Sequence, residues 1–139
     1  MKKLLLSLLI VFSCNAIYSQ TSPASDPNAP EMTFEKLKWE FPAQPYASEF
    51  KKEFVFKNTG KSPLVIIQAT TSCGCDNCSY PKEPIAPGKT GIITYWYDTK
   101  RPGKFTKSFY VVSNAKTSQI VVTVSGEIIP PPKEVEEAK

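Results

Sequence analysis

The chain has 139 residues, with 17 basic and 13 acidic side chains and no histidine, which is the length of one domain. Without histidine there is no imidazole general base, no histidine-based triad and no histidine metal ligand. The formal charge of +4 is spread along the chain, and Arg101 is the only arginine. Nucleic acid is therefore excluded as a partner, as is a phosphate or carboxylate clamp built on arginine forks.

The first stretch reads as an export signal. Lys2-Lys3 forms a short positive start, Leu4 to Phe12 is an apolar run broken only by Ser7, and small or polar residues follow, with a cleavage point after Ser19. The run is too short to span a bilayer, and no other apolar stretch approaches the roughly 20 residues a spanning helix needs. The mature chain is thus expected to carry no transmembrane helix and to reside in the periplasm or at the surface of a Gram-negative-type bacterium. A second processing route stays open, because Val11-Phe12-Ser13-Cys14 resembles the lipobox of bacterial lipoproteins, which would place a lipid anchor on Cys14. Loss of residues 1–19 removes two lysines and no acid, leaving 15 basic against 13 acidic side chains.

Residues 20–31 hold three prolines among small polar residues and are expected to form a flexible spacer. From residue 32 to residue 130 the pattern becomes all-β: runs rich in Val, Ile, Phe, Tyr and Thr, separated by Gly, Pro, Asn and Asp. Residues 32–41 alternate loosely. In residues 50–57, Phe50, Phe54 and Phe56 share one face against Lys51, Glu53 and Lys57, and the breaker from Asn58 to Pro63 turns the chain. Residues 64–71 begin apolar on both parities, which predicts a strand in the interior of a packed pair of sheets. Residues 91–98 and 104–113 flank Thr99-Lys100-Arg101-Pro102-Gly103, read as a hairpin turn. In the second of these runs Phe105, Phe109 and Val111 share a face with Lys107. A last alternating run ends at Ile129, and the Pro- and charge-rich tail from residue 131 to residue 139 has no apolar face to bury. About seven short strands without a helical period predict an antiparallel two-sheet sandwich.

Cys73, Cys75 and Cys78 lie together between two β-patterned runs. If the strand persists, Cys73 and Cys75 project from the same face, and Asp76-Asn77 favours a turn that swings Cys78 back towards them. A disulfide suits an exported protein, and Cys75 with Cys78 is the easier pair to close. Cys73, Cys75 and Cys78 could instead hold a soft ion, Cu(I) or Zn²⁺, as thiolates. A redox dithiol at Cys75 and Cys78 would need a helix N-terminus to lower the first thiol's pKa, and none is predicted. Plain buried cysteines complete the alternatives. In the aromatic run, Trp96 is assigned to the core, and Tyr95 and Tyr97, on the other parity, become the candidate recognition surface.

The motifs Phe54-Val55-Phe56-Lys57-Asn58-Thr59-Gly60, Pro63-Leu64-Val65-Ile66, Ser72-Cys73-Gly74-Cys75, Pro84-Ile85-Ala86-Pro87-Gly88-Lys89 and Gly103-Lys104-Phe105-Thr106-Lys107-Ser108 together resemble the bacterial domain-of-unknown-function family 1573. That family is similar in turn to immunoglobulin-like domains of the hydin and major-sperm-protein type. The resemblance implies an exported immunoglobulin-like sandwich of the cell envelope with no catalytic residues and no cofactor. In it, Asn58-Thr59-Gly60 would form a turn with Gly60 at positive φ, and the cysteine pair of the family pattern would be Cys73 and Cys75. The expected role is a non-enzymatic interaction or scaffold module with a protein or envelope partner. A periplasmic soft-metal protein is the rival reading.

Overall fold

In a computed structural model of the chain, residues 26–73 and 76–132 are described. The export signal, Cys14, the first part of the spacer, Cys75 and residues 133–139 of the tail lie outside them. Nine strands are present among the described residues: β1 (Met32–Phe34), β2 (Lys38–Glu40), β3 (Gln44–Pro45), β4 (Phe50–Asn58), β5 (Ile66–Thr71), β6 (Asp76–Ser79), β7 (Thr90–Tyr97), β8 (Gly103–Ser113) and β9 (Gln119–Ile129). They form two sheets, ordered β1-β4-β7-β6 and β2-β9-β8-β5, with β3 also on β9. No helix among the described residues is long and apolar enough to cross a membrane.

The strongest strand signal in the sequence is realised as read. In β4, Phe50, Phe54 and Phe56 are buried while Lys51, Glu53, Val55 and Lys57 face out. Across from it, β8 contributes Phe105, Phe109 and Val111, and β9 contributes Val122, Val124 and Ile128. The aromatic rings interlock between the sheets: Phe54 meets Phe109 with centroids 5.1 Å apart, and Tyr97 stacks on Phe105 at 4.0 Å. Burying these rings is the main favourable term holding the sheets together.

Four sequence expectations change in the folded molecule. The sandwich is mixed, because β2 and β3 run parallel to β9. Residues 99–103 do not close a hairpin; they carry the chain from β7 in one sheet to β8 in the other. A Pro-Gly turn signal specifies reversal of direction and is silent on which sheet receives the next strand. Residues 64–71 are not a central strand either. β5 is an edge, with Ile66 buried and Ile67 63% exposed, and the buried Leu64 before it bridges Ile85. Lastly, residues 26–31 of the expected spacer are fastened to the domain. Pro30 is buried, its carbonyl accepts from the Lys116 amide at 2.9 Å, and the Glu31 carbonyl accepts from the Thr59 amide at 2.8 Å.

That attachment explains Gly60. Among the described glycines, positive φ belongs to Gly88 (77°) and Gly103 (109°), not to Gly60. A Cβ at Gly60 would overlap the backbone of Ala29, Pro30 and Glu31, so glycine is required there for close approach of two chain segments.

Candidate functional site

The cysteine segment leads to one side of the sandwich, where the free edges of the two sheets face each other. Asp76-Asn77 does not turn as its composition suggests. It opens β6, an edge strand paired antiparallel with β7: Asp76 lies opposite Tyr97, and Cys78 opposite Tyr95. β5 forms the edge of the other sheet. Between them opens a cleft of about 280 Å³, lined by Ala69, Thr70, Thr71, Cys73, Asp76, Asn77 and Cys78.

Asp76 is the unusual member of that cleft. Its side chain is 7% exposed, and its Oδ2 accepts a hydrogen bond from the Tyr95 hydroxyl at 2.9 Å. Cys73 Sγ lies 3.6 Å from the same oxygen. The second oxygen, Oδ1, is buried and has no hydrogen-bond partner. Burial raises the Asp76 pKa above the usual carboxylate value, and the Tyr95 hydroxyl, Lys107 and Arg101 oppose that rise. Thr71 Oγ1 lies 2.7 Å from the Cys73 carbonyl and 3.2 Å from the Asp76 carbonyl, which holds the two ends of the segment together.

The aromatic assignment is inverted. Tyr95 is 0% exposed and Tyr97 7% exposed, both in the core, while Trp96 is half-buried on the outer face of its sheet. Tyr95 and Tyr97 are therefore not a recognition surface. Both parities of this run are apolar, so alternation alone cannot choose the buried face. Pairing with β4 chooses it, placing Ile93 opposite Phe54 and Tyr97 opposite Phe50. The Tyr95 hydroxyl tolerates the interior because Asp76 accepts its hydrogen bond, and burial together with that carboxylate drives the Tyr95 pKa far up. Trp96 remains outside beside Lys51, whose Nζ is 5.9 Å from its ring centroid.

The thiols also differ from expectation. Cys78 is free and half-buried, so the Cys75–Cys78 bridge is not formed. The reason is local: Cys78 sits within a paired strand and is not swung back by a turn. Burial raises its pKa, which makes it a poor thiolate at neutral pH. Cys75 lies outside the described residues, and those residues contain no cluster of three or more metal-ligating side chains.

Two layered sheets joined by a β7-to-β8 crossover, with the short β2 and β3 parallel to β9, form an immunoglobulin-like sandwich. The family described as protein of unknown function (DUF1573) matches residues 32–128, and the chain belongs to that family. Among solved structures it is similar to a protein of unknown function from Porphyromonas gingivalis W83, with a TM-score of 0.66 and 15% identity over 77% of this chain and 51% of that one. It is also similar to PapD-like domain 7 of human CEP192, with a TM-score of 0.58 and 11% identity over 94% of this chain and 99% of that one. The CupB2 chaperone of Pseudomonas aeruginosa follows with a TM-score of 0.52 and 13% identity, over 69% of this chain and 55% of that one. At these identities the likeness concerns the fold. The chain spans about half the length of the Porphyromonas gingivalis protein. No curated protein matches the sequence.

Proposed function

We propose that the domain is a non-enzymatic interaction module of the cell envelope that engages an extended segment of a partner protein along the free edge of β5. The observation that carries this reading is the difference among the sheet edges. A bare edge is a template for adding a strand, and proteins ordinarily blunt such edges with shortness, charge or proline. Three strands here are blunted: β1 is three residues long, β2 carries Lys38 and Glu40, and β3 is two residues ending in Pro45. β6 has only four residues. β5 has six, Ile66-Ile67-Gln68-Ala69-Thr70-Thr71, with neither charge nor proline.

The usable part of that edge can be located. The Ser72 amide bonds inward to the Ser108 carbonyl at 2.8 Å. By the alternation of an antiparallel pair, Thr70 also faces β8, while Ala69 and Thr71 turn their amide and carbonyl groups outward. The Tyr80 hydroxyl already bonds the Ile67 carbonyl at 3.1 Å, so the open stretch runs from Gln68 to Thr71. A strand docking there would gain backbone hydrogen bonds, with specificity coming from alternate side chains. Likeness to solved chaperones supports an interaction role, and the signal-like residues 1–19 support export.

The test is a photo-crosslinking amino acid at position 67 in the full chain, expressed in cells, with position 55 on the opposite sheet as control. The expected result is a discrete adduct from position 67 that Ala69→Pro abolishes while the β-sheet spectrum is retained. No adduct at 67, or equal adducts at 67 and 55 that ignore the proline, would overturn the reading.

A further inference from the structure

The bare stretch of β5 stops abruptly, and the chain itself stops it. After β6, residues 80–85 run as a strap to the edge of the other sheet and close the start of β5. Leu64 and Ile85 exchange backbone hydrogen bonds at 2.9 and 2.8 Å. Farther along, the Tyr80 hydroxyl donates to the Ile67 carbonyl at 3.1 Å. That hydroxyl stands where the amide nitrogen of an added strand would have to stand, since both approach the same carbonyl to about 3 Å. The Tyr80 ring is half-buried against the core, and Lys82 Nζ lies 3.4 Å from its centroid. Packing on the core and a cation on its face both hold the ring in place.

The strand also changes course at this position. Its pairing with β8 shifts register between Ile66 and Gln68, and an irregularity of that kind bends the strand that carries it. The strap offers no substitute edge: Pro81 and Pro84 have no amide hydrogen, and Lys82 and Glu83 are exposed charges. The unoccupied edge from Gln68 to Thr71 therefore spans about 13 Å at the rise of a strand.

We propose that Tyr80, with the strap behind it, sets the length and register of the docked strand, so that the partner fitted to this edge is a short extended segment and not a long strand of a preformed sheet. This rests on the edge-docking reading above. Backbone bonding is confined to the outward groups of Ala69 and Thr71, and the partner segment must end or turn away at Tyr80. A longer strand gains nothing from its extra residues while the hydroxyl holds the Ile67 carbonyl.

The experiment uses the full chain and a ten-residue blocked peptide of alternating threonine and valine, with affinity and amide shifts followed to millimolar concentration. In the unchanged chain the shifts along β5 should stop at Ile67. Tyr80→Leu keeps an apolar side chain against the core but is too short to reach the carbonyl, and Tyr80→Ala clears the position altogether. In each variant the peptide should bind about fivefold tighter, the scale of one backbone hydrogen bond, and the shifts should extend to Ile66 and Val65. Shifts that already pass Ile67 in the unchanged chain overturn the assignment of Tyr80 as the stop. Equal affinity and equal extent of shifts in all three proteins do the same, and either result leaves edge docking standing. Failure of the peptide to bind any of them removes the edge reading and this inference together. Circular dichroism verifies that the variants are folded, and Tyr80→Leu decides the matter if Tyr80→Ala is not.

Discussion

Of the four polar residues buried among the described ones, Asn58 and Asp76 stand at opposite ends of the domain's logic. Asn58 is fully buried, and every valence of its amide is used. Its Nδ2 donates to the Ser62 carbonyl at 2.8 Å and the Ile85 carbonyl at 2.9 Å, and its Oδ1 accepts from the Gly60 amide at 3.0 Å and the Glu31 amide at 3.4 Å. Its backbone joins in, donating to Lys89 and accepting from Gly88. Asp76 has one oxygen satisfied by Tyr95 and one satisfied by nothing. A closed set of hydrogen bonds marks a joint of the architecture, whereas an open one leaves a desolvated oxygen uncompensated.

The comparison can be broken first at Asn58. Asn58→Ala would strand the Ser62 and Ile85 carbonyls and the Gly60 amide and leave a cavity, and should cost about 3 kcal/mol or more. Chemical denaturation measures it. A loss below about 1 kcal/mol, the net worth of a single ordinary hydrogen bond, would mean that the network is ornamental and the contrast empty.

Next in size is Tyr95→Phe, which keeps the ring packed on Phe54 and Phe109 and removes only the hydroxyl. Asp76 would then lose the hydroxyl donor to its Oδ2, at a cost of about 1–3 kcal/mol. The double variant with Asp76→Asn should recover part of that loss, because a neutral amide suffers less from burial than a carboxylate. Additive losses in denaturation would show that the pair is uncoupled.

Asp76 itself gives a smaller effect with a definite sign. Its folded pKa is raised, chiefly by burial. Between the unfolded carboxylate value and that raised value the folded state holds the proton more tightly, so stability from this group is greatest in acid and falls as pH rises through the folded pKa. Asp76→Asn should therefore be more stable than the unchanged chain at neutral pH, and the advantage should shrink towards about pH 4, near the unfolded value. Melting temperatures of both proteins across that range test it, and an advantage that grows in acid would reverse the assignment.

The smallest effect on stability is expected at the edge. Ile67→Lys changes an exposed side chain and should shift stability by no more than about 0.5 kcal/mol. It should nonetheless remove partner binding, because a lysine on the edge is a deterrent to strand addition. Unchanged adduct formation by the Ile67→Lys variant, with its crosslinker moved to position 70, would contradict this.

What is legible in the sequence follows from the range of each signal. The alternation of Phe50, Phe54 and Phe56 with Lys51, Glu53 and Lys57 is local, and β4 buries the expected face. The family motifs carry the sandwich. The Tyr95-Trp96-Tyr97 run misleads because its two faces are equally apolar, and only pairing with β4 and the distant Asp76 decides between them. The turn composition of Asp76-Asn77 is likewise overruled by a strand partner at residues 94–97. Edge status is the least local property of all: Ile66 and Ile67 look like an interior strand until the sheet order shows that β5 ends its sheet.

Everything proposed for this domain depends on β5 being an edge that accepts a strand. The most direct measurement is amide chemical-shift mapping of the full chain during titration with a six-residue blocked peptide of alternating threonine and valine. Shifts concentrated at Ile67 to Thr71, with companions at Asp76 and Cys78 and none in the Ala69→Pro variant, are the predicted outcome. Shifts centred instead on Val55, Ile92 and Trp96, or no shifts at millimolar peptide, would contradict it.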